Sequence, residues 1–191
     1  YPAETSKALI ERIQERLGAQ VAEKEDRGYD HGAYAPLLKM YPDAKIPVVQ
    51  LSVNYQADAR EWFAMGQALS VLRDEGILIL GSGDIVHNLR LINPNLGNKP
   101  FPEAETFEET LLRKIDPTKD NDLAGALKWE SIEGARVAAE SPDHLAPFYY
   151  TLGAVLGEGD VKDLTLQPVE IHTHDYVWGS LSMTSLAWGL K

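Results

Sequence analysis

The chain has 191 residues, of which 44% are hydrophobic and none is cysteine, and its formal charge at pH 7 is −11. This length suits a single domain with one core, and the acidic balance disfavours nucleic acid and anionic membranes, which attract basic patches. The absence of cysteine excludes disulfides and thiolate metal sites. Neither a signal peptide nor a membrane span is visible, so we expect a cytoplasmic protein. We expect small-molecule partners, and the sequence does not determine the oligomeric state.

The first quarter of the chain is predicted to form a helix, a loop and a strand. Residues 5–18 repeat apolar residues every fourth position, which is typical of an amphipathic helix. Residues 24–45 are interrupted by glycine and proline, which predicts loop with a short helix near Pro36 to Met40. The run "IPVVQLSV" at 46–53 predicts a strand covered on both faces.

A helix and a second strand follow. The capping pattern Asp58…Glu61 opens a predicted helix that ends at Gly76, and "ILIL" at 77–80 is another apolar run of strand length. Strand, helix and strand in this order indicate a parallel unit with a right-handed crossover. The predicted fold class is therefore α/β, with a mixed or mostly parallel central sheet flanked by helices.

The rest of the chain is predicted to be helical before a tail of strands. In the last long helix Ser141 is the expected cap, Pro142 the first helical residue, and Pro147 either a kink or the end of a separate early turn. The helices are expected at 103–115, 120–129, 131–140 and 141–157, and the strands at 164–171 and 179–188.

The stretch "GSGDIVHNLR" at 81–90 follows a predicted strand, where open α/β sheets usually bind ligands. It does not fit a dinucleotide loop, because Val86 stands where a third glycine is required, and it lacks the Gly-Lys-Ser/Thr ending of a phosphate loop. Gly81 and Gly83 permit positive φ and close backbone approach, which suits a turn that presents His87. A histidine that only bonds a nearby carbonyl is the alternative.

Two other histidines occupy settings that suit chemistry. Asp30 precedes His31 and is placed to orient its ring, as in many acid/base histidines. His144 falls in the predicted first turn of helix 141–157, where the helix dipole favours the neutral imidazole that a metal requires. A loop histidine without a role and a solvent-facing cap are the respective alternatives.

The tail carries a further pair, His172 and His174, in "IHTHDY". A strand would place both on one face, and this spacing recurs among metal ligands. Turn-like and acidic neighbours favour an exposed loop or edge strand instead, so no site is assigned to the pair.

Four segments together carry a resemblance to a known family. They are "RGYDHGAYAPLLKMYPDAKIPVVQLSV", "LRDEGILILGSGDIVHNLR", "SPDHLAPFYYTLGA" and "GSLSMTS". In this order they resemble the class III extradiol ring-cleaving dioxygenases, most closely the branch of the 4,5-DOPA extradiol dioxygenases. The match spans nearly the whole chain and is more specific than any one of its motifs.

The resemblance implies a mononuclear non-haem Fe(II), often replaced by Zn(II) in isolated proteins, and insertion of both atoms of O2 into a DOPA-like or protocatechuate-like catechol. By motif, His87 resembles the acid/base histidine within reach of the metal. His31 resembles the second pocket histidine, which bonds substrate or oxygen. His144 resembles the metal ligand that replaces the carboxylate of protocatechuate-type relatives. The resemblance thus makes His87 and His31 catalytic, and His144 and His87 metal-binding.

The family also carries two further metal-binding histidines in an N-terminal region that would precede the equivalent of "YPA". We therefore expect residues 1–191 to be one catalytic domain without that region, with apolar sheet surface exposed and no activity alone, because a facial metal site needs three protein ligands. Two alternatives stay open. One is a zinc-dependent hydrolase in the same cleft, with Asp84 as the nearby carboxylate but no H-E-x-x-H pattern. The other is a non-catalytic small-molecule-binding protein of the same fold.

Overall fold

The computed structural model describes residues 1–24 and 26–189, and the chain divides into two compact units, Tyr1–Asn54 and Tyr55–Lys191. Each unit is built mainly from helices joined by irregular segments. No helix within the described ranges is long and apolar enough to cross a membrane.

The first unit contains helices α1 (Lys7–Leu17) and α2 (His31–Met40). The α1 helix is confirmed, and its cap is Ser6, whose Oγ accepts a hydrogen bond from the Leu9 amide at 3.2 Å. The α2 helix begins at His31 rather than near Pro36. Asp30 explains the earlier start, because its carboxylate accepts from the Ala33 amide at 3.0 Å and so caps the first turn.

Two predicted strands are not strands. Residues 46–53 of the first unit and 77–80 of the second lie outside every helix and strand of the described chain. The expectation that they are covered on both faces is wrong, since Leu78 and Leu80 are 55% and 45% exposed. An apolar run becomes a strand only where another backbone pairs with it along its length. Neither segment is part of a strand ladder in the described ranges, although the Val48 amide donates to the Glu4 carbonyl at 2.9 Å. The small sheets of the described chain do not confirm the predicted central parallel sheet. The expectation of exposed apolar sheet surface stays a prediction.

The core of the second unit is the contact between α3 (Ala59–Leu69) and α7 (Ala146–Leu156). Trp62 stacks on Tyr149 with ring centroids 6.3 Å apart, and both side chains are buried. The helices approach closely at two glycines. A Cβ on Gly66 would lie 2.0 Å from the Tyr150 carbonyl oxygen, and one on Gly153 would lie 2.0 Å from that of Phe63.

The ends of both core helices differ from prediction. The capping box Asp58…Glu61 is confirmed at the start of α3, but the α-helix ends at Leu69 and continues as a 3₁₀ turn, Ser70–Arg73. The α7 helix begins at Ala146, so Ser141 does not cap it. Pro147 lies in its first turn, which agrees with a separate turn before it.

Three more helices and two small sheets complete the second unit. The predicted helices appear as α4 (Pro102–Ile115), α5 (Leu123–Ala126) and α6 (Ala135–Ala138). In the tail, β1 (Glu170–Thr173) pairs with β4 (Ser185–Ala187), and β2 (Tyr176–Val177) with β3 (Leu181–Ser182), both antiparallel. The tail strands are therefore shorter than predicted, and β2 was not predicted.

Gly153→Ala is expected to destabilise the protein by about 1–3 kcal/mol, because the added methyl overpacks the contact between α3 and α7. This penalty exceeds the gain of about 1 kcal/mol in helix propensity. Urea denaturation measures the change. Gly28→Ala is the control, since a Cβ there meets nothing within 4 Å. A Gly153→Ala variant as stable as Gly28→Ala would contradict the close approach.

Candidate active site and metal centre

His87 lies on a short extended segment that is held on both sides. Its amide donates to the Ala138 carbonyl at 2.8 Å, at the end of α6. On the other side His87 forms an antiparallel bridge with Leu181 of β3. Its neighbours Val86 and Asn88 are buried. The backbone of His87 is thus fixed between α6 and the hairpin that β2 and β3 form, while its side chain stays partly exposed.

Two buried serines of "GSLSMTS" complete this arrangement, and sequence reasoning gave them no role. The Val86 amide donates to Ser182 Oγ at 3.0 Å, and Ser180 Oγ donates to the Asn88 carbonyl at 2.8 Å. Neither serine is exposed. The Ser182 hydroxyl thus satisfies a buried amide, and the Ser180 hydroxyl adds a second donor to the Asn88 carbonyl, which also accepts from the Leu91 amide at 3.2 Å. Two serines at alternate positions of a short segment are a weak sequence signal for such pairing.

His144 lies in the turn before α7, not in the first helical turn as predicted. Its carbonyl accepts a hydrogen bond from the Asp84 amide at 3.0 Å rather than from an amide of α7. This contact depends on Gly83, because a Cβ there would lie 2.1 Å from the His144 carbonyl oxygen. Neither Gly81 nor Gly83 has positive φ. Their predicted close approach is confirmed, and the positive φ is not.

The glycine turn and the α7 turn bring three side chains together. The rings of His87 and His144 stack with centroids 3.5 Å apart and planes 13° from parallel. Asp84 joins them, and one ligand atom from each of the three lies within 4.8 Å of the others. Among the described residues this is the one group of three or more that meets the geometry for a metal ion.

Burial and neighbouring charges control protonation here. Burial and then the charge of His144 hold the pKa of His87 below its usual range. Burial and then the charge of Glu108 raise the pKa of Asp84 to about 7. At neutral pH His87 is therefore a neutral imidazole, which is the form that binds a metal or accepts a proton.

Glu108 was not identified from the sequence. It is fully buried on α4, on the face that also carries apolar residues. A charged residue that interrupts the apolar stripe between Ala104 and Leu111 was the available signal. Its basic neighbour among the described residues is His174, whose Nε2 lies 3.3 Å from Glu108 Oε2.

The remaining predicted histidines lie elsewhere in the chain. His31 is exposed at the first residue of α2 in the first unit. Asp30 does not orient it among the described contacts, since that carboxylate accepts from the Ala33 amide and from Gln50 Nε2. The functional role predicted for His31 stays a prediction. His172 is exposed on β1, as the edge-strand interpretation expected.

The donor set fits a divalent transition metal. Two imidazoles with a carboxylate form the set that non-haem iron enzymes use, and imidazole also suits zinc. The charge of His144, whose ring stacks on that of His87, contributes to the lowered pKa of His87, which favours a neutral nitrogen ligand there. The cluster thus has the donor set of the enzymes that hold a metal with histidine and carboxylate ligands.

Comparison with known proteins gives the family. Residues 3–178 match the family described as "Catalytic LigB subunit of aromatic ring-opening dioxygenase". The chain therefore belongs to the class III extradiol ring-cleaving dioxygenase family, and the resemblance noted in the sequence is confirmed.

Individual relatives agree with this membership. The chain is 38% identical to a protein of Escherichia coli strain K12 named "4,5-DOPA dioxygenase extradiol", over 99% of the chain and 68% of that protein. It is 35% identical to a protein of the same name from Beta vulgaris, over 86% of the chain but only 61% of that relative's length. The chain thus spans about two thirds of these relatives.

A solved structure agrees with the fold. The crystal structure of an uncharacterized protein from Escherichia coli K12 superposes with a TM-score of 0.81 and 38% identity, covering 97% of this chain and 74% of the other. This likeness supports the predicted α/β class.

Asp84→Asn is expected to flatten the dependence of stability on pH in metal-free protein. The folded state holds the Asp84 proton up to about pH 7, whereas the ordinary pKa is 3.8. The contribution to stability is therefore full below pH 3.8 and is lost as pH rises through about 7. Removing this group should raise stability at pH 8, relative to pH 4, by an amount on the order of 1–4 kcal/mol.

Urea denaturation of wild-type and variant protein between pH 4 and pH 8 checks this prediction. The control is Asp163→Asn, at an exposed aspartate. Parallel stability curves for wild type and Asp84→Asn would show that Asp84 is not protonated in the folded state.

Proposed function

We propose that this chain forms part of the active site of an extradiol dioxygenase that opens a catechol ring with O2. The observation that carries the proposal is the stacked pair His87 and His144 with Asp84 beside it, in a chain of this family. The names of the curated relatives favour a DOPA-like catechol. We further propose a cytoplasmic location and a mixed or mostly parallel central sheet flanked by helices.

The metal in this proposal is Fe(II), with Zn(II) as a replacement in isolated protein. His144 and His87 would hold it, with Asp84 in reach as a further oxygen ligand. Bound there, the metal would act as Lewis acid, template and electron conduit for the diol and O2. The expectation of two more histidine ligands from outside residues 1–191 belongs to the same proposal.

The protein's own contribution is the control of a proton. A catechol must lose hydroxyl protons before it opens, and a neutral imidazole is the suitable acceptor. Burial and His144 keep His87 neutral, with a single unprotonated ring nitrogen. While this nitrogen is not bound to the metal, it can take a proton from a substrate hydroxyl at neutral pH. The backbone bonds from His87 to Ala138 and from Asn88 to Ser180 hold this ring in place. The proposed role of His31 is to bond substrate or oxygen.

A zinc-dependent hydrolase in the same cleft is the second candidate. It is favoured by the position of Asp84, whose carboxylate lies within 4.8 Å of the imidazole nitrogens and so satisfies the requirement for a nearby general base. Ring opening separates the two candidates, because a hydrolase neither consumes O2 nor yields a semialdehyde.

His87→Ala is expected to lower ring opening by at least about 10²-fold, the usual contribution of general acid–base catalysis. The full-length protein is loaded anaerobically with Fe(II), mixed with L-DOPA or protocatechuate, and exposed to air. O2 consumption and the yellow semialdehyde are then measured. Absence of product from every catechol tested, despite a loaded metal, would rule out the dioxygenase.

His172→Ala is the matched control for this experiment, since it removes an exposed imidazole outside the cluster. It should retain wild-type turnover. Turnover of His87→Ala equal to that of His172→Ala would remove the proton-transfer role while leaving the family membership unaffected.

His144→Ala is expected to weaken metal binding by at least about tenfold, as loss of a ligand exceeds the 10- to 100-fold effect of losing an outer partner. Equilibrium dialysis of the full-length protein with Zn(II) measures the affinity without any need for turnover. Unchanged affinity in His144→Ala would show that the cluster is not the metal site.

A further inference from the structure

The two tail histidines have different surroundings although one residue separates them. His172 Nε2 lies 3.8 Å from Glu170 Oε2, and both side chains are more than half exposed. His174 Nε2 lies 3.3 Å from Glu108 Oε2, and Glu108 has no exposed surface. The first contact is an exposed pair of little weight, whereas the second involves a carboxylate that water does not reach.

The contact with His174 matters for the stability of the buried Glu108 carboxylate. Neither of its oxygens has a hydrogen-bond partner of good geometry within the described part of the chain. A buried carboxylate is unstable unless a positive group or hydrogen-bond donors compensate it. His174 supplies the positive group when protonated. Tyr176 adds a second polar neighbour, because burial and then the Glu108 carboxylate raise the pKa of its buried hydroxyl.

The tail segment that contacts Glu108 leads directly to the backbone of His87. Tyr176 opens β2, which pairs with β3. From β3 the Ser182 amide donates to the Val86 carbonyl at 2.9 Å. From the turn before it, the Ser180 carbonyl accepts from the Asn88 amide at 3.0 Å. Residues 174–182 therefore link Glu108 on α4 to residues 86–88, alongside the backbone bonds that join Phe101 to Gly179 and His87 to Ala138.

We propose that Glu108 is a positioning residue of the active site, which through its pair with His174 fixes the β2–β3 hairpin on α4 and thereby the backbone that carries His87. The effect on turnover rests on the proposed dioxygenase function. The effect on the backbone of Asn88 does not.

The experiment compares His174→Ala with His172→Ala in the full-length protein. The hydrogen-exchange rate of the Asn88 amide reports its bond to the Ser180 carbonyl and requires no turnover. The exchange rate of the Leu152 amide inside α7 is the reference that corrects for any change in global stability. Steady-state kinetics with a catechol report kcat and KM separately. The matched pair removes one imidazole each from neighbouring sites, and only one of these imidazoles contacts Glu108.

His174→Ala is expected to speed Asn88 exchange about tenfold and to lower kcat about tenfold, with KM changed less than about twofold, since coupled contacts of this kind change rates by such factors. His172→Ala should leave both within about twofold. His174→Gln, which keeps a donor within reach of the carboxylate, should restore at least half of kcat. Equal behaviour of the two alanine variants would overturn the proposal.

Two further variants cover a failure of His174→Ala to fold. Glu108→Gln keeps the shape of the side chain without its charge, and Glu108→Leu/His174→Leu removes both partners, a change that buried pairs often tolerate. Faster Asn88 exchange in either variant supports the proposal, and wild-type exchange in both overturns it. If the wild-type protein opens no catechol, the proposed function fails while the exchange rates still decide the positioning role.

Discussion

The structure of the site depends on one backbone contact, the hydrogen bond from the Asp84 amide to the His144 carbonyl. It joins the glycine turn to the turn before α7, and it places Asp84, His87 and His144 within one cluster. The contact requires a residue without a side chain at position 83. It also requires that His144 lie outside the helix, because a helical carbonyl would be taken by an amide four residues later. The late start of α7 is thus part of the site.

The sequence predicted local features well where one residue controls them. Asp58 caps the helix that it was expected to cap, and Glu61 completes the capping box. His87 and His144 could be named because their motifs resemble those of the family, whereas the role named for His31 on the same ground stays a prediction. The start of α7 was missed because Ser141 and Pro142 form a typical helix opening, and only the distant Asp84 amide removes the His144 carbonyl from the helix.

Long-range pairing explains the other errors. An apolar run such as 77–80 carries the composition of a buried strand but no information about which backbone pairs with it. Ser180 and Ser182 are also undistinguished in the sequence, and their role follows from a contact with residues more than ninety positions earlier. Asp84 was noted only as a carboxylate near His87, because its distance from His144 depends on the same fold.

The electrostatics of the site depend on a buried acid outside the histidine cluster, Glu108. Asp84 is partly buried and Glu108 fully buried, and after burial itself the charge of Glu108 is the second cause of the raised pKa of Asp84. A divalent cation at the histidines would instead lower the pKa of Asp84, since a nearby positive charge stabilises the ionised carboxylate. Glu108 is in turn contacted by the tail, since His174 Nε2 lies 3.3 Å from Glu108 Oε2. Because the charge of Glu108 is one cause of the raised pKa of Asp84, the tail residue that contacts Glu108 affects the electrostatics of the site as well as its geometry.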